Sequence, residues 1–125
     1  MSLQAELVTG PVLQRVLPRI VGVLAARAEL PIDRLSDGLL VADALSAAAQ
    51  ATLGDDAPLV IRASADREVT LELGPLPREL AEHLLVRTAL RSAGRIVERL
   101  AEVRLDDRSE GTAIVIVLGP EPPSA

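Results

Sequence analysis

The chain of 125 residues contains no Phe, Trp or Tyr, so its hydrophobic core must be built from aliphatic side chains. Hydrophobic residues still make up 49% of the sequence, which suits one compact domain of this length. We therefore expect a single domain over residues 1–119 with a core of Leu, Val, Ile and Ala. The last segment, residues 120–125, is proline-rich and is predicted to be disordered.

The composition also excludes several classes of function. There is no Cys and a single histidine, His83, so disulfides, thiolate zinc sites and multi-histidine metal sites are ruled out. The lack of aromatic residues and the net charge of −5 argue against nucleic-acid binding. The longest apolar run, residues 20–26, is too short to span a bilayer, and the polar start of the chain does not resemble a signal peptide. We expect a cytoplasmic protein with no membrane partner.

Hydrophobic periodicity predicts strands and helices in a defined order. That order is strand 5–8, helix 11–28, helix 33–52, strand 59–64, strand 69–73, helix 78–100, strand 103–105 and strand 113–118, the last two joined by loop 106–111. Hairpins with helices in blocks predict an α+β fold, a two-layer sandwich in which helices cover one face of a mixed, mostly antiparallel sheet.

Three helical features leave alternatives open. Pro18 either kinks the first helix or marks its start, and the third helix is continuous or breaks at residues 92–94. The alanine-rich stretch 42–51 packs inside the domain or across a homodimer interface.

Three segments carry a family resemblance: residues 39–48, residues 69–76 and the Gly-Thr-Ala-Ile-Val-Ile-Val-Leu run at 111–118. Together with the order of elements, they resemble the Bergerat-fold (GHKL) ATPase domain. The chain is most similar to the anti-sigma-factor serine kinases of bacterial partner-switching systems. The resemblance covers residues 5–118, rests on topology and pattern, and implies a histidine kinase-like ATPase fold.

The catalytic motif of that family is altered here. In the family, the second helix carries Glu-x-x-x-Asn, where the Glu acts as a base and the Asn holds magnesium. The matching positions are Asp43, which is one methylene shorter, and Ala47, which offers no oxygen. Because the chain contains no Asn anywhere, realignment cannot restore that ligand. The resemblance therefore implies a degenerate base at Asp43 and no metal site.

The adenine-binding box of the family, Asp-x-Gly-x-Gly, is also incomplete. In one register Glu72 and Gly74 stand at the acidic residue and the first glycine, while Leu76 replaces the second glycine. Strand alternation favours another register, with Leu73 at the acidic position.

Two further fragments match the family near the phosphates. Gly94 corresponds to a glycine pair that begins the last helix, and Gly111-Thr112 corresponds to a Gly-Thr that opens the final strand. The resemblance thus implies a remnant nucleotide site at Glu72, Gly74, Gly94, Gly111 and Thr112.

Four arginines recur every four residues: Arg87, Arg91, Arg95 and Arg99. This spacing places them on one helix face. The stripe is a solvated face paired with nearby glutamates, a docking strip for an acidic protein, or a binding site for phosphate.

We therefore predict a regulatory protein–protein interaction domain that resembles an anti-sigma-factor kinase but is non-catalytic and has no cofactor. The partner implied by the resemblance is a sigma factor or a STAS-type anti-anti-sigma protein. Two alternatives remain. One is a functional serine kinase with divergent motifs that binds ATP and magnesium, and the other is an unrelated α+β dimerisation module.

Overall fold

The computed structural model describes residues 1–91 and 96–123. Its elements follow the predicted order and confirm the α+β class. They are β1 (Ser2–Val8), α1 (Pro11–Arg27), α2 (Ile32–Leu53), β2 (Pro58–Ala65), β3 (Val69–Leu76), α3 (Arg78–Arg91), α4 (Ile96–Leu100), β4 (Glu102–Arg108) and β5 (Gly111–Leu118).

The five strands form one sheet in the order β1-β2-β3-β5-β4. Every neighbouring pair of these described strands is antiparallel, so the sheet is not mixed. β5 lies between β3 and β4, which explains why it is apolar on both faces. Ile114 and Ile116 belong to the core, and Val115 is also fully buried, although it points to the opposite face.

The core lies between one face of the sheet and the helices. α2 packs against α1, α3 and α4, while α1 lies over β1, β2 and β3. The largest fully buried side chains are aliphatic: Leu13, Leu17, Leu24, Leu45, Leu59, Ile61, Leu73, Leu84, Ile114 and Ile116. In the alanine-rich stretch, Ala42, Ala48 and Ala49 are buried in this core, so its close packing is intramolecular. We call the sheet face away from the helices the outer face.

The first helix begins at Pro11 and continues through Pro18. Proline is tolerated at the first helical position because that N–H would have no helical partner. Before the helix, the Thr9 hydroxyl donates a hydrogen bond to the Gly54 carbonyl (2.5 Å) and accepts one from the Ala57 N–H (2.9 Å). Thr9 thus joins the start of α1 to the loop that leads into β2.

The predicted loop 106–111 was wrong for four of its six residues, because β4 continues to Arg108 and β5 begins at Gly111. Only Ser109 and Glu110 separate β4 from β5. An edge strand tolerates charged residues because its outer edge has no neighbouring strand and is exposed to solvent. Asp106 and Arg108 therefore lie on the outer face, whereas Asp107 points to the other face.

A buried arginine connects three distant parts of the domain. Arg34, in the first turn of α2, is only 3% exposed. It donates hydrogen bonds to the Gly119 carbonyl (2.8 Å) and the Leu100 carbonyl (2.6 Å) and forms an ion pair with Asp37 (2.7 Å). The planar guanidinium can satisfy several acceptors at once. It thereby holds the ends of α4 and β5 against α2.

We expect Arg34→Ala to lower the free energy of unfolding by about 3 kcal/mol, because it leaves buried carbonyls without donors. Arg19→Ala is the matched control: Arg19 is exposed, and its loss should change stability by less than about 0.5 kcal/mol. Urea denaturation of both variants measures the difference. Equal stability of the two variants would contradict this role for Arg34.

Candidate functional site

The two acidic residues of the predicted nucleotide site lie on opposite sides of the sheet. Asp43 is exposed on α2, in the helix layer. Alternate residues of a strand point to opposite faces, so Glu72 of β3 lies on the outer face while Leu71 and Leu73 are buried beneath the helices. Asp43 and Glu72 therefore cannot act on one bound nucleotide.

Gly74 of β3 and Gly111 of β5 both lie against the backbone of Leu76, where these two paired strands approach closely. The pairing of these strands is irregular between Leu73 and Leu76. Both glycines have positive φ angles, +115° and +140°. A Cβ at Gly111 would lie 2.8 Å from the Leu76 carbonyl oxygen, and one at Gly74 would lie 2.9 Å from the Leu76 nitrogen. Backbone packing alone therefore requires glycine at both positions.

Thr112, the last residue of the predicted remnant, is buried and already hydrogen-bonded within the protein. Its hydroxyl donates to Asp107 Oδ1 (2.8 Å), and Asp107 pairs with Arg78 Nη1 (2.5 Å) at the start of α3. The Thr112 hydroxyl and then the Arg78 guanidinium hold the pKa of the Asp107 carboxyl below its ordinary value. This chain links β4 and β5 to α3. Gly94 lies outside the described residues.

Glu72 is neutralised on the outer face by Arg108. Both carboxylate oxygens of Glu72 accept hydrogen bonds from Arg108, each at 3.0 Å, and Arg108 also donates to Asp106 at 2.9 Å. These hydrogen bonds hold the pKa of Glu72 below its ordinary value, against partial burial, which raises it. Bidentate pairing of this kind fixes both side chains. Glu72 therefore has a structural partner in place of a nucleotide base.

The described residues leave almost no space between the helices and the sheet. The cavity there has a volume of about 10 Å³ and is lined by apolar residues of α1, α2, β3 and β5. Pockets for ligands of nucleotide size measure roughly 300–1,000 Å³. Depressions of about 360 and 320 Å³ occur on the surface. The first is an open groove on the outer face beside Gln4 and Arg62. The second includes three glutamates, Glu68, Glu102 and Glu121, which would repel phosphate, and one arginine, Arg34, whose charge is already paired with Asp37.

Among the described residues, no three acidic or histidine side chains lie together as a group that could hold a metal ion.

The predicted arginine stripe is only partly described. Arg87 is exposed on α3, and its guanidinium donates a hydrogen bond to the Ala51 carbonyl near the end of α2. Arg99 is exposed on α4. The side chain of Arg91 and all of Arg95 lie outside the described residues. α3 and α4 also carry glutamates, so their surface has mixed charge.

A second basic surface lies on α1 and was not predicted from the sequence. Val12, Arg15, Arg19, Val23 and Arg27 are exposed and recur at three- or four-residue spacing, opposite the buried stripe of the helix. We call these five residues the α1 outer face. Val12 and Val23 are 44% and 52% exposed. Within residues 1–91 and 96–123, none of these arginines forms an ion pair. The signal was present in the sequence, because α1 contains three arginines and no acidic residue.

Comparison with known proteins adds no family assignment. No family model matches the sequence, and no curated protein matches it significantly.

The pairing of Glu72 with Arg108 predicts a pH-dependent stability. A carboxyl whose pKa is lowered by folding adds stability above its unfolded value, here 4.5, and loses it as pH falls through the folded value. Glu72→Gln should therefore be less stable than the wild type at pH 7, with a difference that shrinks toward about pH 3. Urea unfolding at a series of pH values measures it.

Glu110→Gln is the control, because Glu110 is exposed in the β4–β5 turn and forms no ion pair with any described residue. A stability difference for Glu72→Gln that stays constant or widens below pH 4.5 would contradict the assignment.

Proposed function

We propose that this protein is a non-catalytic relative of the anti-sigma-factor kinases and that it acts by binding a regulatory protein. This proposal rests on where the acidic and hydroxyl side chains of the expected nucleotide site lie. They do not come together, and the ones on the sheet are already hydrogen-bonded to other residues of the protein. Asp43 and Glu72 lie on opposite sides of the sheet, and the Thr112 hydroxyl is bonded to Asp107.

The metal chemistry of phosphoryl transfer has no support in this chain. Transfer requires magnesium held against the phosphates and a correctly placed base. Ala47 stands where the related kinases have an asparagine, and the chain contains no asparagine that could take over this role. The narrow apolar space under the helices would also have to open widely to admit a nucleotide. We therefore assign no cofactor.

The α1 outer face is the surface that best supports protein binding. It carries three positive charges on a protein with a net charge of −5. Arginine is the cation most favoured at protein interfaces, because its planar group pairs with carboxylates and its stem packs on apolar surface. The exposed valines beside these arginines add apolar contact area. This combination fits an acidic surface with apolar residues at its centre.

By the family resemblance, the partner is a sigma factor or a STAS-type anti-anti-sigma protein, and the site of action is the cytoplasm. None of the helices among the described residues is long and apolar enough to cross a membrane. The stripe that begins at Arg87 and Arg91 is the alternative docking surface.

Binding measurements against the sigma factors and STAS proteins of the same genome test this proposal. We expect one of them to bind, and Arg15→Glu with Arg19→Glu to weaken that binding by about tenfold or more, since reversed charges repel an acidic partner. The matched comparison is Arg87→Glu with Arg91→Glu, and melting temperatures verify that both variants fold.

If only the variant with Arg87→Glu and Arg91→Glu loses binding, the partner binds at α3 and not at the α1 outer face. The proposal would be contradicted if none of the candidate proteins bound, or if neither double substitution changed the affinity of the one that did.

A further inference from the structure

An open groove with a volume of about 360 Å³ crosses β1, β2 and β3 on the outer face of the sheet. Residues directly opposite each other in neighbouring strands share a sheet face. The strand registers therefore place two rows of side chains beside one another in this groove. The first row is Gln4, Arg62 and Glu72, and the second is Ser2, Ser64 and Thr70. We call these six residues the outer-face groove.

Every side chain of the outer-face groove is polar. The other two residues that line it, Leu3 and Ala63, turn their side chains toward the core and contribute backbone here. Ser64 and Thr70 are half-buried, whereas Arg62 is exposed. A ligand in the groove would thus lie on a floor of hydroxyl groups, with a guanidinium beside it.

Arg62 keeps most of its hydrogen-bond donors for a ligand. Its Nε donates a hydrogen bond to Gln4 Oε1 at 3.1 Å. Glu72, which faces Arg62 across the strands, is instead held by Arg108, which donates to both of its carboxylate oxygens at 3.0 Å. Arg62 forms no ion pair within residues 1–91 and 96–123. Its two terminal nitrogens therefore offer a positively charged fork, and the charge of Glu72 beside it is already balanced by Arg108.

The hydroxyl groups of the second row are also available. Ser2, Ser64 and Thr70 make no side-chain hydrogen bond to another residue in the described part of the chain. The Gln4 amide nitrogen is a further donor, because Arg62 bonds only to the amide oxygen. A carboxylate oxygen can accept more than one hydrogen bond, so Glu72 remains an acceptor for a neutral hydroxyl. The groove thus combines one unpaired cation, several donors and one neutralised acceptor.

We propose that the outer-face groove binds a small hydroxylated phosphate monoester, the chemical class of the sugar phosphates. A guanidinium pairs with two oxygens of a phosphate at once. A phosphate monoester has a third terminal oxygen, which accepts hydrogen bonds from Ser64 and Thr70. A carboxylate has two oxygens, so pairing with Arg62 would leave the floor hydroxyls without a charged acceptor. The phosphate therefore matches both rows of the groove.

The rest of the groove suits the hydroxyl groups of such a ligand. Glu72 accepts a hydrogen bond from one ligand hydroxyl, and the Gln4 amide donates to another. The volume of about 360 Å³ is at the lower end of the range for ligand pockets, which is roughly 300–1,000 Å³. The groove is therefore large enough for a phosphorylated monosaccharide. This binding lies on the sheet face opposite the helices and goes beyond the proposed partner binding at α1.

Titration of the isotopically labelled protein with glucose 6-phosphate, followed by NMR at constant ionic strength, tests the proposal. We expect saturable shifts at the Arg62 Nε–H and at the backbone amides of Ser64 and Thr70, and none with glucose. Inorganic phosphate separates the two sources of the anion. Weaker binding of inorganic phosphate assigns the ester as the ligand, whereas equal binding assigns free phosphate.

Charge-removing variants test whether the site is local. Arg62→Gln should weaken the binding of glucose 6-phosphate by about tenfold or more, because it removes a charge-assisted pair. Arg104→Gln is the matched control: Arg104 is exposed on the same sheet face, three strands away, and its loss removes the same charge. It should leave the affinity nearly unchanged. Thr70→Val, which keeps the shape of the side chain but removes the hydroxyl, should weaken binding by a smaller factor than Arg62→Gln.

The absence of saturable shifts with glucose 6-phosphate and with inorganic phosphate would overturn the proposal. Equal weakening by Arg62→Gln and Arg104→Gln would also overturn it, because it would show general attraction by charge in place of a site. Melting temperatures verify that each variant folds. Because neither a sigma factor nor a STAS protein takes part in the titrations, failure here leaves the proposed partner binding intact.

Discussion

The side chains of β3 point alternately to the two faces of the sheet, and this alternation determines which residues of the protein can lie close together. Leu71 and Leu73 must point toward the helices, because the core has no aromatic side chains and depends on aliphatic ones. Glu72, between them, must then lie on the outer face, where Arg108 reaches it. A one-residue slip would bury the carboxylate and expose two leucines, so the register is strongly determined. The requirement for an aliphatic core thus separates Glu72 from Asp43.

The same requirement explains where the polar residues gather. With one sheet face used for the core, Glu72 of β3 and Asp106 and Arg108 of β4 lie on the outer face and pair there. Thr112 and Asp107, on the other face but at the end of the sheet, pair with each other and with Arg78. Of the two acidic residues that the family resemblance singles out, Glu72 is therefore held in a structural ion pair, whereas Asp43 is exposed on α2. The arginines of α1 form no ion pair among the described residues, which is why we propose that this surface binds a partner.

Local patterns predicted most of the fold. The three- and four-residue spacing of α1 and α2 and the alternation of β2 and β3 depend only on nearby residues, so these elements were found with nearly correct bounds. The end of β4 was missed because an Asp-Asp-Arg run is typical of a loop. Its partners, Glu72, Arg78 and Thr112, are distant in sequence or belong to the next strand. Arg34 could not be predicted to be buried, since its acceptors lie 66 and 85 residues away.

We propose that this protein keeps the fold of a nucleotide-dependent kinase, inferred from resemblance, and does not bind nucleotide. Titration of the isotopically labelled protein with Mg-ATP, followed by backbone amide NMR, tests it most directly. We expect no saturable shift at the backbone amides of Gly74, Gly111 or Thr112. Saturable shifts at these amides that vanish when magnesium is chelated would contradict it.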